Sequence, residues 1–281
     1  MQVITTIKDM QAFSRAKKAE GKRIGFVPTM GALHKGHISL IENSIEQNDV
    51  TVVSIFVNPT QFGPAEDFNK YPKDHKGDTE KLIPLNIDAL FLPDVAGMYP
   101  KGFSTFLFVG GIGGILCGVS RPDHFNGVAT VVAKLFNVVM PDRAYFGQKD
   151  YQQTVVIKRL VRDLGFDIDI VVCPIVREDG GLAMSSRNAY LSDEERRAAL
   201  ILNKALEYGK GLMLSGREDK TGTIKEKMKV FMQAEPLVTI EYVEIAGPEY
   251  LETLKEVKIP AVILLAAKVG TTRLIDNLLV E

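Results

Sequence analysis

The chain has 281 residues, 46% of them hydrophobic, and its 34 Lys and Arg against 35 Asp and Glu leave a formal net charge of -1. Such a chain can build two modest domains with real cores, and its balance of charge implies no broad basic field for nucleic acid or an anionic membrane, so any phosphate binding has to be local. Met1-Gln2-Val3-Ile4-Thr5-Thr6 lacks the start of a signal peptide, no stretch has the length of a membrane span, and the two unpatterned cysteines, Cys117 and Cys173, point to a reducing cytoplasm.

The first predicted strand is Ile24 to Val27, followed by Pro28-Thr29-Met30-Gly31-Ala32-Leu33-His34-Lys35-Gly36-His37 and a helix on which Ile38, Ile41 and Ile45 recur. A helix start offers unpaired N–H groups and partial positive charge, Gly31 and Gly36 let an anion approach the backbone, and the imidazoles add donors. Two other readings of the histidines stand beside this anion site: a structural pair hydrogen-bonded in a packed turn, and zinc ligands. Against zinc, no glutamate lies between them, the only other histidines are His75 and His124, and no C-x-x-C pairing occurs.

The apolar run Val50 to Val57 reads as a parallel strand covered on both faces and leads into Asn58-Pro59-Thr60-Gln61-Phe62-Gly63. Asp67, Asp74 and Asp78 form a possible magnesium set, left uncommitted. Ile87 to Leu92 is the next strand. Gly110-Gly111-Ile112-Gly113-Gly114 has no Lys-Ser/Thr ending and reads as a flexible connection. Val128, Val131, Val132 and Leu135 mark a helix, Ala144 to Phe146 a strand, Val156, Leu160 and Leu164 another helix, and Ile168 to Cys173 a fifth strand. This alternation predicts a doubly wound α/β domain over residues 1–180, with ligands at the carboxyl ends of its strands. Those ends carry Met30, His34 and His37; Asn58 and Gln61; Gly147-Gln148-Lys149-Asp150 with Gln152 and Gln153 on a helix start; and Val176 followed by Gly180 to Asn188. Lys149 and Arg187 suit phosphate oxygens, while Gln61 and Gln153, which donate and accept, suit a hydroxylated acid.

Beyond residue 180 the pattern changes. Ser192 and Glu195 form a capping box opening a long helix through Tyr208, a Gly-rich charged stretch runs from Ser215 to Gly222, and a second helix covers Ile224 to Ala234. Thr239 to Ala246, Ala261 to Val269 and Thr272 to Leu278 read as a small sheet, giving a separate α+β domain over residues 181–281.

His34-Lys35-Gly36-His37 with the later Met184-Ser185-Ser186-Arg187 resembles the H-x-G-H nucleotidyltransferase superfamily. Within it, the blocks Pro28 to His34, Val57 to Gly63, Tyr145 to Asp150, Met184 to Asn188 and Thr272 to Asn277 are similar, in order, to those of the pantothenate synthetase family. That resemblance implies a Rossmann-like fold, a C-terminal domain acting as a lid over the ATP site, a homodimer, and ATP-dependent joining of pantoate to β-alanine through a pantoyl adenylate. ATP enters as a substrate with Mg2+ on its phosphates, and no protein metal ligand is assigned.

The resemblance also implies site roles. Met30, Gly31, Ala32, Leu33, His34, Lys35, Gly36, His37, Gly147, Gln148, Lys149, Asp150, Val176, Met184, Ser185, Ser186 and Arg187 would bind ATP, with Asp150 at the ribose. His34, His37, Lys149, Ser185 and Arg187 would be catalytic, His37 as a proton donor. Gln61 and Gln153 would hold pantoate, with Asn58 nearby. One departure is Asp123, in Arg121-Pro122-Asp123-His124-Phe125, where the family usually shows glycine. A nucleotidyltransferase that releases its adenylylated product, and a nucleotide-binding regulator without catalysis, are the alternatives.

Overall fold

A computed structural model describes residues 1–64, 66–68 and 70–281 and divides the chain into two compact units, one of 1–147 with 153–174 and one of 148–152 with 175–281. Among the described residues, the first unit is built on six strands: β1 (Gln2–Ile4), β2 (Ile24–Thr29), β3 (Val50–Ile55), β4 (Ala89–Phe91), β5 (Arg143–Gly147) and β6 (Asp169–Cys173). Their order is β1-β4-β3-β2-β5-β6 and every pair is parallel. The chain winds outward from β2 through β3 to β4, then crosses to β5 and β6. The winding direction therefore reverses between β2 and β5, and their adjacent carboxyl ends, Thr29 and Gly147, form the crevice where such sheets bind ligands.

All six residues of β3 are buried, as a strand covered on both faces requires. It stops at Ile55 rather than Val57 because Asn58 caps a short turn, Pro59–Gln61, with its side chain accepting from the Thr60 N–H. β1 has no counterpart among the predicted strands; three residues are too few to show a period, and it forms only by pairing with β4 at the sheet edge.

The helix Lys35–Gln47 buries Leu40, Ile41 and Ser44, and Ile45, expected on the core face, is 39% exposed. A Cβ placed on Gly25 would lie 2.3 Å from Ser44 Oγ, so this helix approaches β2 through small residues that a hydrophobic pattern does not mark. Leu164, at the end of the helix Tyr151–Leu164, is likewise exposed. The predicted helix at Val128 to Leu135 spans His124–Val139 and is buried along most of its length. The Gly110 to Gly114 stretch is not a loose connection. It folds into turns with Val109 and Ile112 buried, and a Cβ on Gly113 would meet the Val109 carbonyl at 2.4 Å.

The second unit carries an antiparallel sheet, β7 (Val238–Ala246), β8 (Ala261–Val269) and β9 (Thr272–Val280), in sequence order. Leu202, Leu206, Met228, Ile245, Ile263 and Leu265 belong to its core. The Ser192 capping box is present, but the long helix is two, Asp193–Ala198 and Leu200–Leu214, interrupted at buried Ala199. Alanine is the strongest helix former, so composition carries no mark of that break. Among the described residues no helix is long and apolar enough to cross a membrane.

Asp123 precedes the helix His124–Val139 with φ 63°, in the left-handed region, and its side chain accepts from Asn126 Nδ2 at 2.8 Å rather than capping a helix N–H. Glycine enters that region without penalty, whereas an aspartate carries a side chain that disfavours it. Asp123→Gly is expected to raise stability by up to about 1 kcal/mol, and Asp123→Val to lower it by about 1–2 kcal/mol, measured by urea unfolding.

Candidate active site

The loop after β2 contains two consecutive residues with positive φ, Gly31 at 85° and Ala32 at 52°. Its shape is imposed from a distant helix, His75–Leu82, whose Asp78 is 1% exposed and accepts from the N–H groups of Ala32 at 2.8 Å and Leu33 at 2.7 Å. Lys81 Nζ, 3.6 Å from Asp78 Oδ1, donates to the Leu33 carbonyl at 2.8 Å. Below the turn, Thr29 Oγ1 accepts from the Gly31 N–H at 3.1 Å and donates to the Ser54 carbonyl at 2.8 Å.

The chain then reaches His34 in extended conformation, at the N-cap of the helix Lys35–Gln47. Its Nδ1 accepts from the Gly36 N–H at 3.2 Å, and its own N–H donates to His37 Nδ1 at 3.3 Å. The two rings lie 4.1 Å apart. The histidines are thus a reciprocal capping box, normally built from Ser or Thr and Glu. A ring nitrogen that accepts cannot carry the proton, so each neutral imidazole holds its proton at Nε2 and presents that N–H as a donor.

This changes the anion-site reading of the loop. The N–H groups of Gly31, Ala32, Leu33, His34 and Gly36 are engaged as above, and that of His37 donates to the His34 carbonyl at 2.8 Å. Six backbone amides of the loop and its helix start are thus already used. Asp78, one of the uncommitted magnesium candidates, is likewise engaged, and Asp74 caps its helix by accepting from the Gly77 N–H at 2.9 Å.

After β3, Gln61 is 8% exposed and its Nε2 lies 2.9 Å from Met30 Sδ, which joins a proposed acid-binding residue to a proposed nucleotide-binding one. Asn58, 1% exposed, orients it by donating to Gln61 Oε1 at 3.1 Å and to the Gly127 carbonyl at 3.1 Å. Asn58 Oδ1 in turn accepts from Tyr99 Oη at 2.7 Å, and burial pushes the Tyr99 phenol up, which keeps it a neutral donor. The Gln61 carbonyl faces His124 Nδ1 at 2.8 Å and accepts from Arg121, whose guanidinium grips Glu66 at 2.5 to 3.1 Å. Gly127 permits this assembly, since a Cβ there would lie 2.3 Å from the Thr60 carbonyl. Gln153 lies in the half-buried start of the helix Tyr151–Leu164.

The other candidates lie in the second unit. Lys149 and Asp150 form a short turn with Gln148, and Lys149 Nζ is 3.7 Å from Asp150 Oδ1. Val176 and Met184 meet across a tight hairpin, the Met184 N–H donating to the Val176 carbonyl at 3.0 Å, with Gly180 and Gly181 at positive φ in its tip. Ser185 Oγ accepts from the Arg187 N–H at 3.2 Å and opens the turn Ser186–Tyr190. Asn188 Nδ2 donates to Glu178 Oε1 at 2.7 Å and the Ala183 carbonyl at 3.1 Å, closing the hairpin base. Sequence reasoning misses the supporting parts played by Asp78, Lys81, Tyr99, Arg121 and His124; the Arg121 to Phe125 block stands out in the chain only for its departure at Asp123.

Asp78→Ala leaves the Ala32 and Leu33 N–H groups without their acceptor and should cost about 2–4 kcal/mol in urea unfolding, with Asp78→Asn, which retains acceptor oxygen, losing less. For Glu66, burial raises the carboxyl but the Arg121 guanidinium outweighs it, so the net position is below the ordinary 4.5. A carboxyl lower in the folded than in the unfolded chain contributes stability above the unfolded value, lost as pH falls through the folded one. The urea midpoint of the wild-type protein should therefore drop more steeply between about pH 6 and about pH 3 than that of Glu66→Gln; equal slopes would refute the assignment.

The family model described as Pantoate-beta-alanine ligase matches residues 2–279. A pantothenate synthetase of Thermodesulfovibrio yellowstonii is 53% identical over 282 residues, covering 100% of both chains, and one of Acetivibrio thermocellus is 51% identical over 281 residues, also covering 100% of both. The solved pantoate-β-alanine ligase of Thermus thermophilus superposes with a TM-score of 0.94 at 43% identity, covering 99% of each chain. That of Francisella tularensis, complexed with Beta-gamma ATP and β-alanine, superposes with a TM-score of 0.81 at 36% identity, covering 99% of this chain and 97% of its own. With a match that runs nearly end to end, this chain belongs to the pantoate-β-alanine ligase family.

Proposed function

We propose that the protein performs its family's reaction through the residues described above. The pantoate carboxylate attacks the α-phosphorus of ATP, forming pantoyl adenylate as the bond to pyrophosphate breaks. The β-alanine amine then attacks the acyl carbon, the bond to AMP breaks, and the amine loses a proton. Adenylation is needed because a carboxylate oxygen is a poor leaving group and a phosphate ester oxygen a good one.

The observation that carries this reading is the join between Gln61 and Met30, 2.9 Å apart, on the loop that leads to the paired histidines. It supports a reading in which an amide for a hydroxylated acid lies against the loop that carries the donors proposed for a phosphate. Gln61 and Gln153 hold pantoate, with Asn58 orienting Gln61. His34 and His37 donate from Nε2 to phosphate oxygens. Lys149, Ser185 and Arg187 stabilise charge on the transferring phosphorus and departing pyrophosphate. Met30 to Leu33, Lys35, Gly36, Gly147, Gln148, Asp150, Val176, Met184 and Ser186 line the nucleotide, with the C-terminal domain as a lid. The site acts by positioning and preorganised charge.

Among the described residues no three His, Cys, Asp or Glu side chains converge as a metal site. Magnesium would enter with the ATP phosphates, whose charge it would lower. We further propose a cytoplasmic homodimer. Neither Cys117 nor Cys173 is in a disulfide, and the first unit exposes the large apolar side chains Phe106, Phe108 and Val119 at 60%, 80% and 72%.

Incubation with ATP, magnesium and pantoate should release pyrophosphate only when pantoate is present, and AMP with the amide only after β-alanine is added. Pantoate-independent pyrophosphate would refute the reading. His37→Ala and Lys149→Ala should each lower the adenylation rate about a hundredfold or more without loss of fold by circular dichroism.

A further inference from the structure

The Thr272 to Asn277 block shares in the family resemblance yet has no part in the reaction as described. We infer that Asn277 is a positioning residue for Lys149, an inference that rests on the phosphate role proposed for that lysine. Asn277, on β9, is 1% exposed. Its Nδ2 donates to the Gln148 carbonyl at 2.9 Å and the Lys149 carbonyl at 3.0 Å, and its Oδ1 accepts from Gln148 Nε2 at 3.2 Å.

Those two carbonyls belong to the peptide planes on either side of the Lys149 Cα. Holding both planes fixes φ and ψ of Lys149, and so fixes the direction in which its side chain leaves the backbone. A lysine on a free turn would sample several directions; here one carboxamide removes that freedom.

Asn277 is itself held. Its N–H donates to Asp276 Oδ1 at 2.8 Å, and Asp276 accepts a bidentate Arg177 at 2.7 and 3.0 Å. Burial pushes the Asp276 carboxyl up and the Arg177 fork opposes it; with both oxygens accepting from that fork, the ionised form fits the geometry. Arg177 Nη1 also donates to the Gly181 carbonyl at 2.9 Å, and Arg177 pairs with Ala183 across the hairpin that leads to Met184, Ser185 and Arg187. Adjacent residues of β9 therefore tie the Lys149 turn and the hairpin that leads to Ser185 and Arg187 to one strand of the second unit.

A double-mutant cycle on the full chain tests this. Pantoate-dependent pyrophosphate release is measured for wild type, Asn277→Ala, Lys149→Ala and the double variant, with thermal melting of each. Asn277→Ala should lower the adenylation kcat roughly 10- to 100-fold with the pantoate KM unchanged, because misplacement of a stabilising group acts on the transition state. In the Lys149→Ala background the same change should cost less than about twofold, since the group it positions is gone. Equal losses in both backgrounds, or a wild-type rate in folded Asn277→Ala, would overturn the inference. If Asn277→Ala does not fold, Asn277→Asp is used in the same cycle; it matches the side chain in size, keeps the bond from Gln148 and loses both donations. The underlying reading fails separately, by a wild type without pantoate dependence or a Lys149→Ala rate equal to wild type.

Discussion

Of the two successive left-handed residues after β2, the glycine is held by Thr29 and the alanine, with the leucine that follows it, by one buried carboxylate. Ala32 at φ 52° carries a penalty of about 1–2 kcal/mol, and a bond from a backbone N–H to a carboxylate contributes about 1.5–3 kcal/mol. Asp78 makes two such bonds, to the two residues that follow Gly31, so the strained turn is stable only while that carboxylate is present. The course of the chain beyond it follows. The turn delivers His34 to the helix start in extended conformation, where its Nδ1 becomes a cap and its N–H reaches His37.

The same construction holds the other proposed functional segments. Gln61 is fixed at its side chain by Asn58 and at its carbonyl by Arg121 and His124, residues about sixty positions later. Lys149 is fixed by Asn277, 128 positions later. Loops at strand ends have little apolar area with which to hold a conformation, so hydrogen bonds from buried polar groups on distant elements must do so. Asp78, Asn58, His124 and Asn277 are buried with partners in place, which avoids the penalty of an unsatisfied donor or acceptor and gives each loop one arrangement.

That division explains which parts of the molecule could be read from the chain. Largely apolar runs such as Val50 to Ile55, broken only by Thr51 and Ser54, announce a doubly covered parallel sheet because burial on both faces favours apolar residues at nearly every position. The side chains proposed for the site are named from residue type and from their place after a strand. What holds them was not legible in this way. Asp78 looked like one of three acids on a charged stretch, because its partners lie 45 and 46 positions earlier and are backbone groups with no residue signature. Ile45 was misplaced for a related reason: Gly25 and Ser44 let the helix close on β2, and small residues do not register in a hydrophobic period.

The histidines show how structural support and the donor role proposed for them meet in one group. A side chain that lends Nδ1 to a helix cap has its ring plane and its tautomer set by that bond, so the proton it offers is at Nε2. The cap therefore does for an imidazole what a carboxylate does in many sites, orienting the ring and choosing the nitrogen that donates. Because each histidine contributes to the other's position, removing one takes away a donor and also loosens its neighbour. Losses from the two substitutions are accordingly not independent, and the pair is better regarded as one unit with two donors than as two residues of separable value.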